Sequence, residues 1–235
     1  MKGKLYLIPT PLGDDTAHLL PQYLVEIAHT IDTFIVERAK TARHFLKAIG
    51  TPLPLPSLTM HELNEHTKPD EIADYLDAAL QGKNIGLLSE AGCPAVADPG
   101  ALVVSMAHEQ GITVVPLIGP SSILLALMAS GMNGQGFSFL GYLPAKQPER
   151  IKAIKQLEGA AIRTQHTQIF IETPYRNGAM LQDLLLQLNP HTRLCIALNI
   201  TTPTERIFTQ TVAAWRKQKN TEDWTAKVPA IFLVL

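Results

Sequence analysis

Between residues 84 and 115 an apolar segment, a loop of small residues and prolines, a helical pattern and a second apolar segment follow in that order, which few folds accommodate. Two strands joined through a helix run parallel, and a parallel sheet needs helices over both faces. Gly86-Leu-Leu-Ser-Glu-Ala-Gly-Cys-Pro-Ala-Val-Ala-Asp-Pro-Gly100 supplies strand and loop, residues 101–110 the helix, Gly111 its stop, and residues 112–115 the returning strand. The preceding chain repeats the alternation. Strands are predicted at 4–8 and 33–36, with an edge or connecting strand at 57–60. Helices are predicted around Leu20, Leu24, Ile27 and Ala28, over 41–49, and around Ile72, Leu76, Ala79 and Leu80.

Beyond Gly119-Pro-Ser-Ser122 the pattern changes. A helix at 123–129 and another at 178–188 accompany strands near 137–141, 167–172, 193–199, 206–212 and 230–235. Short links between these strands imply antiparallel pairs in a mixed sheet. The fold class expected is therefore α/β in two domains, residues 1–118 with a mostly parallel sheet and residues 119–235 with a mixed one.

The loop after the strand at 84–88 contains neither Lys nor Arg. A phosphate-binding P-loop ends in Lys then Ser or Thr, and a dinucleotide fingerprint reads GxGxxG; neither pattern is present. Gly92, Gly100 and the small side chains of Ser89, Ala91, Ala95 and Ala97 instead allow close approach to backbone, suiting a ligand without phosphate. A plain tight turn between strand and helix accounts for the same residues.

The net charge of −1 conceals an asymmetry: residues 1–118 carry 8 Lys and Arg against 14 Asp and Glu, whereas residues 119–235 carry 12 against 7. That permits a basic face on the second half but not sequence-blind coating of nucleic acid. Residues 111–145 lack any charged residue or His, yet Pro116, Gly119, Pro120, Gly131, Gly134 and Gly136 interrupt them too often for a membrane span. Two cysteines, Cys93 and Cys195, give no disulfide framework, and a reducing cytoplasm is the expected setting. The apolar run before Pro9 is too short for a signal peptide.

Six segments, in order, resemble one family. They are Leu7-Ile-Pro-Thr-Pro-Leu-Gly13, His61-Glu-Leu-Asn-Glu65, Leu88-Ser-Glu-Ala-Gly-Cys-Pro-Ala-Val-Ala-Asp-Pro-Gly100, Ile118-Gly-Pro-Ser-Ser122, Gly141-Tyr-Leu-Pro144 and Ile171-Glu-Thr-Pro-Tyr-Arg176. The family is the tetrapyrrole methylase superfamily of S-adenosylmethionine-dependent methyltransferases, and the similarity is to its branch acting on small-subunit ribosomal RNA. The resemblance implies a homodimer of two-domain chains with S-adenosylmethionine in the cleft between domains. By the same resemblance Pro9, Gly13, Ser89, Glu90, Ala91, Gly92, Val96, Ala97, Ser121, Ser122, Glu172, Thr173 and Ala197 are expected at the cofactor. Glu37, His61 and Glu65 are the candidate assistants for proton removal from a ribose 2′-hydroxyl of a cytidine, and Arg38, Lys40 and Arg43 the candidates for substrate phosphates.

The chain departs from that branch at Val36-Glu-Arg-Ala-Lys-Thr-Ala-Arg43, where relatives carry Ala-Glu-Asp-Thr-Arg-x-Thr-Arg. A tetrapyrrole-like small molecule is therefore an alternative substrate, and a cofactor-binding protein without catalysis a third reading. No metal site is expected: in His61-Glu-Leu-Asn-Glu-His66 the second His falls five residues on, off the shared helical face that HExxH requires.

Overall fold

The computed structural model describes residues 1–64, 67, 69–218 and 224–235. The chain divides into two units, Met1–Ser121 and Ser122–Leu235.

The first unit carries β1 (Lys4–Ile8), β2 (Thr33–Val36), β3 (Thr59–Glu62), β4 (Ile85–Leu88) and β5 (Thr113–Pro116) in the spatial order β3-β2-β4-β1-β5, all parallel. Strands β2 and β4 are buried along their whole length, as strands covered on both faces must be. Helices α1 (Gln22–His29) and α2 (Ala39–Ala48) bury Leu24, Ala28, Ala42, Phe45 and Leu46 against Ile8, Phe34 and Val36 on one face. On the other, α3 (Pro69–Ile72), α4 (Asp77–Leu80) and α5 (Gly100–Glu109) cover Leu5, Ile35, Ile85 and Leu87 through Ile72, Ala79, Val103 and Ala107. The chain leaving β1 thus turns to one face and the chain leaving the adjacent β4 to the other. In open parallel sheets ligands are commonly bound beyond the carboxyl ends of the strands at such a reversal.

Two expectations need correcting here. The helix predicted around Ile72–Leu80 is broken, with a 3₁₀ segment at Ala73–Leu76 between α3 and α4, and Leu80 is exposed while Tyr75 takes the buried place. The third strand lies at Thr59–Glu62 instead of 57–60, so His61 and Glu62 belong to an edge strand.

The second unit contains α6 (Ser122–Ser130), β6 (Phe137–Tyr142), α7 (Gln147–Thr164), β7 (Thr167–Glu172), α8 (Asn177–Gln187), β8 (Arg193–Leu198), β9 (Arg206–Thr211), α9 (Val212–Lys217) and β10 (Ala230–Val234). Its sheet has the order β6-β7-β10-β8-β9; β6 and β7 are parallel and the other pairs antiparallel. The 18-residue α7 has no counterpart in the sequence expectations. Its buried stripe is Arg150, Ile154, Leu157 and Ala161, and the leading Arg hides the apolar period. Arg150 pairs with the equally buried Asp183 of α8 (2.6 and 2.7 Å), and Gln147 donates to the other carboxylate oxygen (2.9 Å).

Candidate functional site

Three loops leave the carboxyl ends of β1, β4 and β5 and are tied together by backbone and side-chain hydrogen bonds. The Thr10 and Gly92 amides each donate to the other's carbonyl (2.9 and 3.1 Å), an isolated antiparallel bridge between the β1 and β4 loops. The Thr10 hydroxyl donates to the Ser89 carbonyl (3.2 Å) and the Ser89 hydroxyl to the Gly92 carbonyl (2.7 Å). From the β5 loop, the Pro120 carbonyl lies 3.4 Å from Cys93 Sγ. Glycine is required twice. A Cβ at Gly119 would sit 2.3 Å from Pro9 Cβ. Gly92 has φ +77°, and a Cβ there would press on Leu12 at 3.1 Å.

Further along the β4 loop, Ala95 and Ala97 hold φ of 65° and 62°, the left-handed region that a Cβ disfavours. What fixes them is Asp98, whose Oδ1 accepts from the Ala95 amide (2.9 Å) and the Gly100 amide (2.8 Å). Backbone strain of this kind clusters at active sites and ligand clamps in proteins. Glu90, Ala91, Val96 and Ala97 are exposed along the rim, while Ser89 and Gly92 are buried beneath.

The β2 end adds acidic groups. Glu37 Oε1 accepts the Glu90 amide (3.1 Å), and Glu90 Oε1 accepts the Thr41 hydroxyl of α2 (2.5 Å). Burial pushes the Glu37 carboxyl above its ordinary value; the Glu90 amide opposes this, the Asp98 and Glu90 carboxylates add to it, and Arg38 opposes it. Asp98 is raised too, by burial against the two amides it holds. Glu37, Asp98, Val36, Leu87, Leu88 and Gly100 share one small recess.

The sequence candidates separate on this geometry. Pro9, Gly13, Glu37, Ser89, Glu90, Ala91, Gly92, Val96, Ala97 and Ser121 all belong to the loops following β1, β2, β4 and β5. The Ser89 hydroxyl is spent inside its own loop. His61 packs its ring on Tyr75 at 4.9 Å, and Tyr75 in turn donates its hydroxyl to the Glu62 carbonyl (2.6 Å). Glu65 lies outside the described residues. Arg38, Lys40 and Arg43 are exposed at the start of α2, whose first amide, Ala39, is capped by Glu62 Oε1 (2.8 Å). In the second unit Ser122 begins α6. Ala197 is fully buried within β8, paired to Ile231 and Ile207. Glu172 ends β7, buried, with Oε1 accepting from Arg176 (2.6 and 2.7 Å) and the Thr173 amide (2.6 Å). Its Oε2 has no partner among the described residues. Asp98, Thr10 and Thr41 were missed in sequence; of these only Asp98 carries a signal, as an Asp two residues before a helix begins.

Among the described residues no helix is long and apolar enough to cross a membrane, and no group of three or more His, Cys, Asp or Glu could hold a metal.

A parallel α/β unit with a strained, cation-free loop at its strand ends, followed by a mixed α/β unit, is the architecture. The sequence matches the family described as Tetrapyrrole (Corrin/Porphyrin) Methylases over residues 4–215, and the chain belongs to that family. It is 34% identical over 221 residues to ribosomal RNA small subunit methyltransferase I of Escherichia coli O157:H7, covering 92% of this chain and 73% of that protein. The protein of the same name from Vibrio cholerae is 32% identical over 203 residues, 86% of this chain and 67% of the relative. The chain thus spans about two thirds of such relatives. Among solved structures, the methyltransferase CobJ aligns with TM-score 0.64 at 19% identity over 99% of this chain and 93% of that one. Uroporphyrin III C-methyl transferase from Thermus thermophilus aligns at 0.58 and 17%, over 99% and 97%. These likenesses establish the fold.

Proposed function

We propose that this chain is an S-adenosylmethionine-dependent methyltransferase that modifies ribosomal RNA of the small subunit, at the 2′ oxygen of a cytidine ribose. What supports the substrate is the agreement among relatives from several bacteria, all named ribosomal RNA small subunit methyltransferase I at 30–34% identity. What supports the cofactor is the β4 loop: main-chain groups in strained orientations, carboxylates close by and no Lys or Arg among the loop's own residues. That donor and acceptor set fits a nucleoside that carries a positive sulfonium and no phosphate.

When bound, S-adenosylmethionine supplies a transferable methyl group on a positively charged sulfur. The chain's part is orientation and exclusion of water, which suffice for much of an in-line transfer. Glu90, Ala91, Gly92, Val96 and Ala97 line the cofactor through their backbone, with Pro9, Gly13 and Ser89 beneath and Ser121 beside them. In the second unit Glu172, whose Oε2 has no partner among the described residues, and Thr173 are the polar groups assigned to it, with Ser122; Ala197, expected there too, is fully buried within β8 and offers a ligand no surface. Glu37, whose half-buried carboxyl is a stronger base than a surface one, takes the ribose proton, with His61 and Glu65 as assistants. Arg38, Lys40 and Arg43 meet RNA phosphates. The reading includes a cytoplasmic homodimer.

Mass spectrometry of small-subunit ribosomal RNA from a deletion strain and its parent tests it. Loss of one ribose methyl in the deletion is the result expected. An unchanged map refutes the substrate and directs the search to small molecules.

A further inference from the structure

Tyr175 is 83% exposed in the middle of the short 3₁₀ turn Pro174–Arg176 that follows β7. A lone exposed aromatic is ordinary, but this one is braced and partnered. The turn is tied at both sides of the ring: Arg176 pairs with Glu172, and the Thr173 amide donates to the same oxygen. Immediately after it, the fully buried Asn177 donates both protons of its side-chain amide, to the carbonyls of Ala226 and Val228 at 2.8 Å each. Those carbonyls flank Lys227, which is exposed and held with Nζ 6.0 Å from the centre of the Tyr175 ring. An exposed planar ring with a cation over one face therefore results, each on an anchored backbone, and the other face of the ring is left for a partner. Neither is consumed by the core.

We infer that Tyr175 stacks on an unpaired base of the substrate RNA while Lys227 meets the neighbouring phosphate. An aromatic face beside a cation is the means by which proteins hold single-stranded nucleotides, and the half of the chain that bears the pair has 12 Lys and Arg against 7 Asp and Glu. This inference rests on the RNA methyltransferase reading.

The test measures methyl transfer to small ribosomal subunits from the deletion strain, and binding of a single-stranded RNA oligonucleotide against salt, for wild type, Tyr175→Ala, Tyr175→Phe and Lys227→Ala. For Tyr175→Ala the KM for subunits and the oligonucleotide Kd rise about tenfold or more, whereas Tyr175→Phe stays within about twofold of wild type. Lys227→Ala reduces the slope of log K against log salt by about 0.7, the value for one phosphate of a single strand. Affinity for S-adenosylhomocysteine by calorimetry is unchanged in all three. RNA affinity unaltered in Tyr175→Ala overturns the inference, and if the same variant dissociates an oligomer in sedimentation, the ring is a protein contact instead. A wild type that methylates no RNA, yet binds the nucleoside, refutes the substrate reading itself.

Discussion

Removing the Asp98 carboxylate separates the loop's stability from its readiness to bind. In Asp98→Ala the Ala95 and Gly100 amides lose their acceptor. Hydrogen bonds to a charged group contribute about 1.5–3 kcal/mol each, and the part-buried position of Asp98 puts the pair at the low end, about 3 kcal/mol together. The same change frees Ala95 and Ala97 from left-handed backbone, which costs about 1–2 kcal/mol per residue. The two terms nearly cancel, so urea denaturation of Asp98→Ala should fall within about 1 kcal/mol of wild type. Binding must then reimpose the strain of about 2–4 kcal/mol, and S-adenosylhomocysteine affinity by calorimetry should drop about 30-fold or more. Asp98→Asn, which keeps an acceptor oxygen, should lie between. Placing glycine at 95 and 97 in the Asp98→Ala background should recover part of the affinity. A folded Asp98→Ala that binds as tightly as wild type would refute the reasoning, because the strained loop would then need no pin.

Glu37 sets a pH dependence of known sign. Its carboxyl is higher folded than unfolded, so the folded protein keeps the proton longer, and stability falls as pH rises through that window toward neutrality. Glu37→Gln should therefore gain stability relative to wild type as pH rises from acidic to neutral, measured by urea midpoints; a difference that shrinks over that range contradicts the burial argument. Asp183→Ala leaves the buried Arg150 cation alone and should cost about 3–5 kcal/mol, while replacing both partners by apolar residues should restore most of it. Gly92→Ala, at φ +77° and against Leu12, should destabilise by about 1–2 kcal/mol and weaken nucleoside binding. Cys93 and Cys195, both pushed up by burial, should alkylate slowly in the native protein and readily in denaturant.

Much of the fold was legible because periodicity and punctuation agree: β1, β2 and β7 fall at the predicted residues, bounded by Pro, Asp and Glu-Thr-Pro segments. The long α7 was not legible, because its buried stripe opens with Arg150, and only the tertiary pairing with Asp183 makes that position a core one. The third strand lies two residues nearer His61 than expected, since an edge strand with no buried residue on either face has no alternation to fix it. In the site, the small residues of the β4 loop announced close backbone approach. The Thr10–Gly92 bridge, the Thr41–Glu90 bond and the positive φ of two alanines depend on partners distant in sequence or on conformations that alanine does not advertise.

Titration calorimetry with S-adenosylhomocysteine on the wild-type protein, run beside Gly92→Ala, addresses the central claim most directly. The account predicts saturable uptake by the wild type and clearly weaker uptake by the variant at unchanged secondary structure. No heat of binding to the wild type, or equal affinity in both, would contradict a cofactor held on the β4 loop.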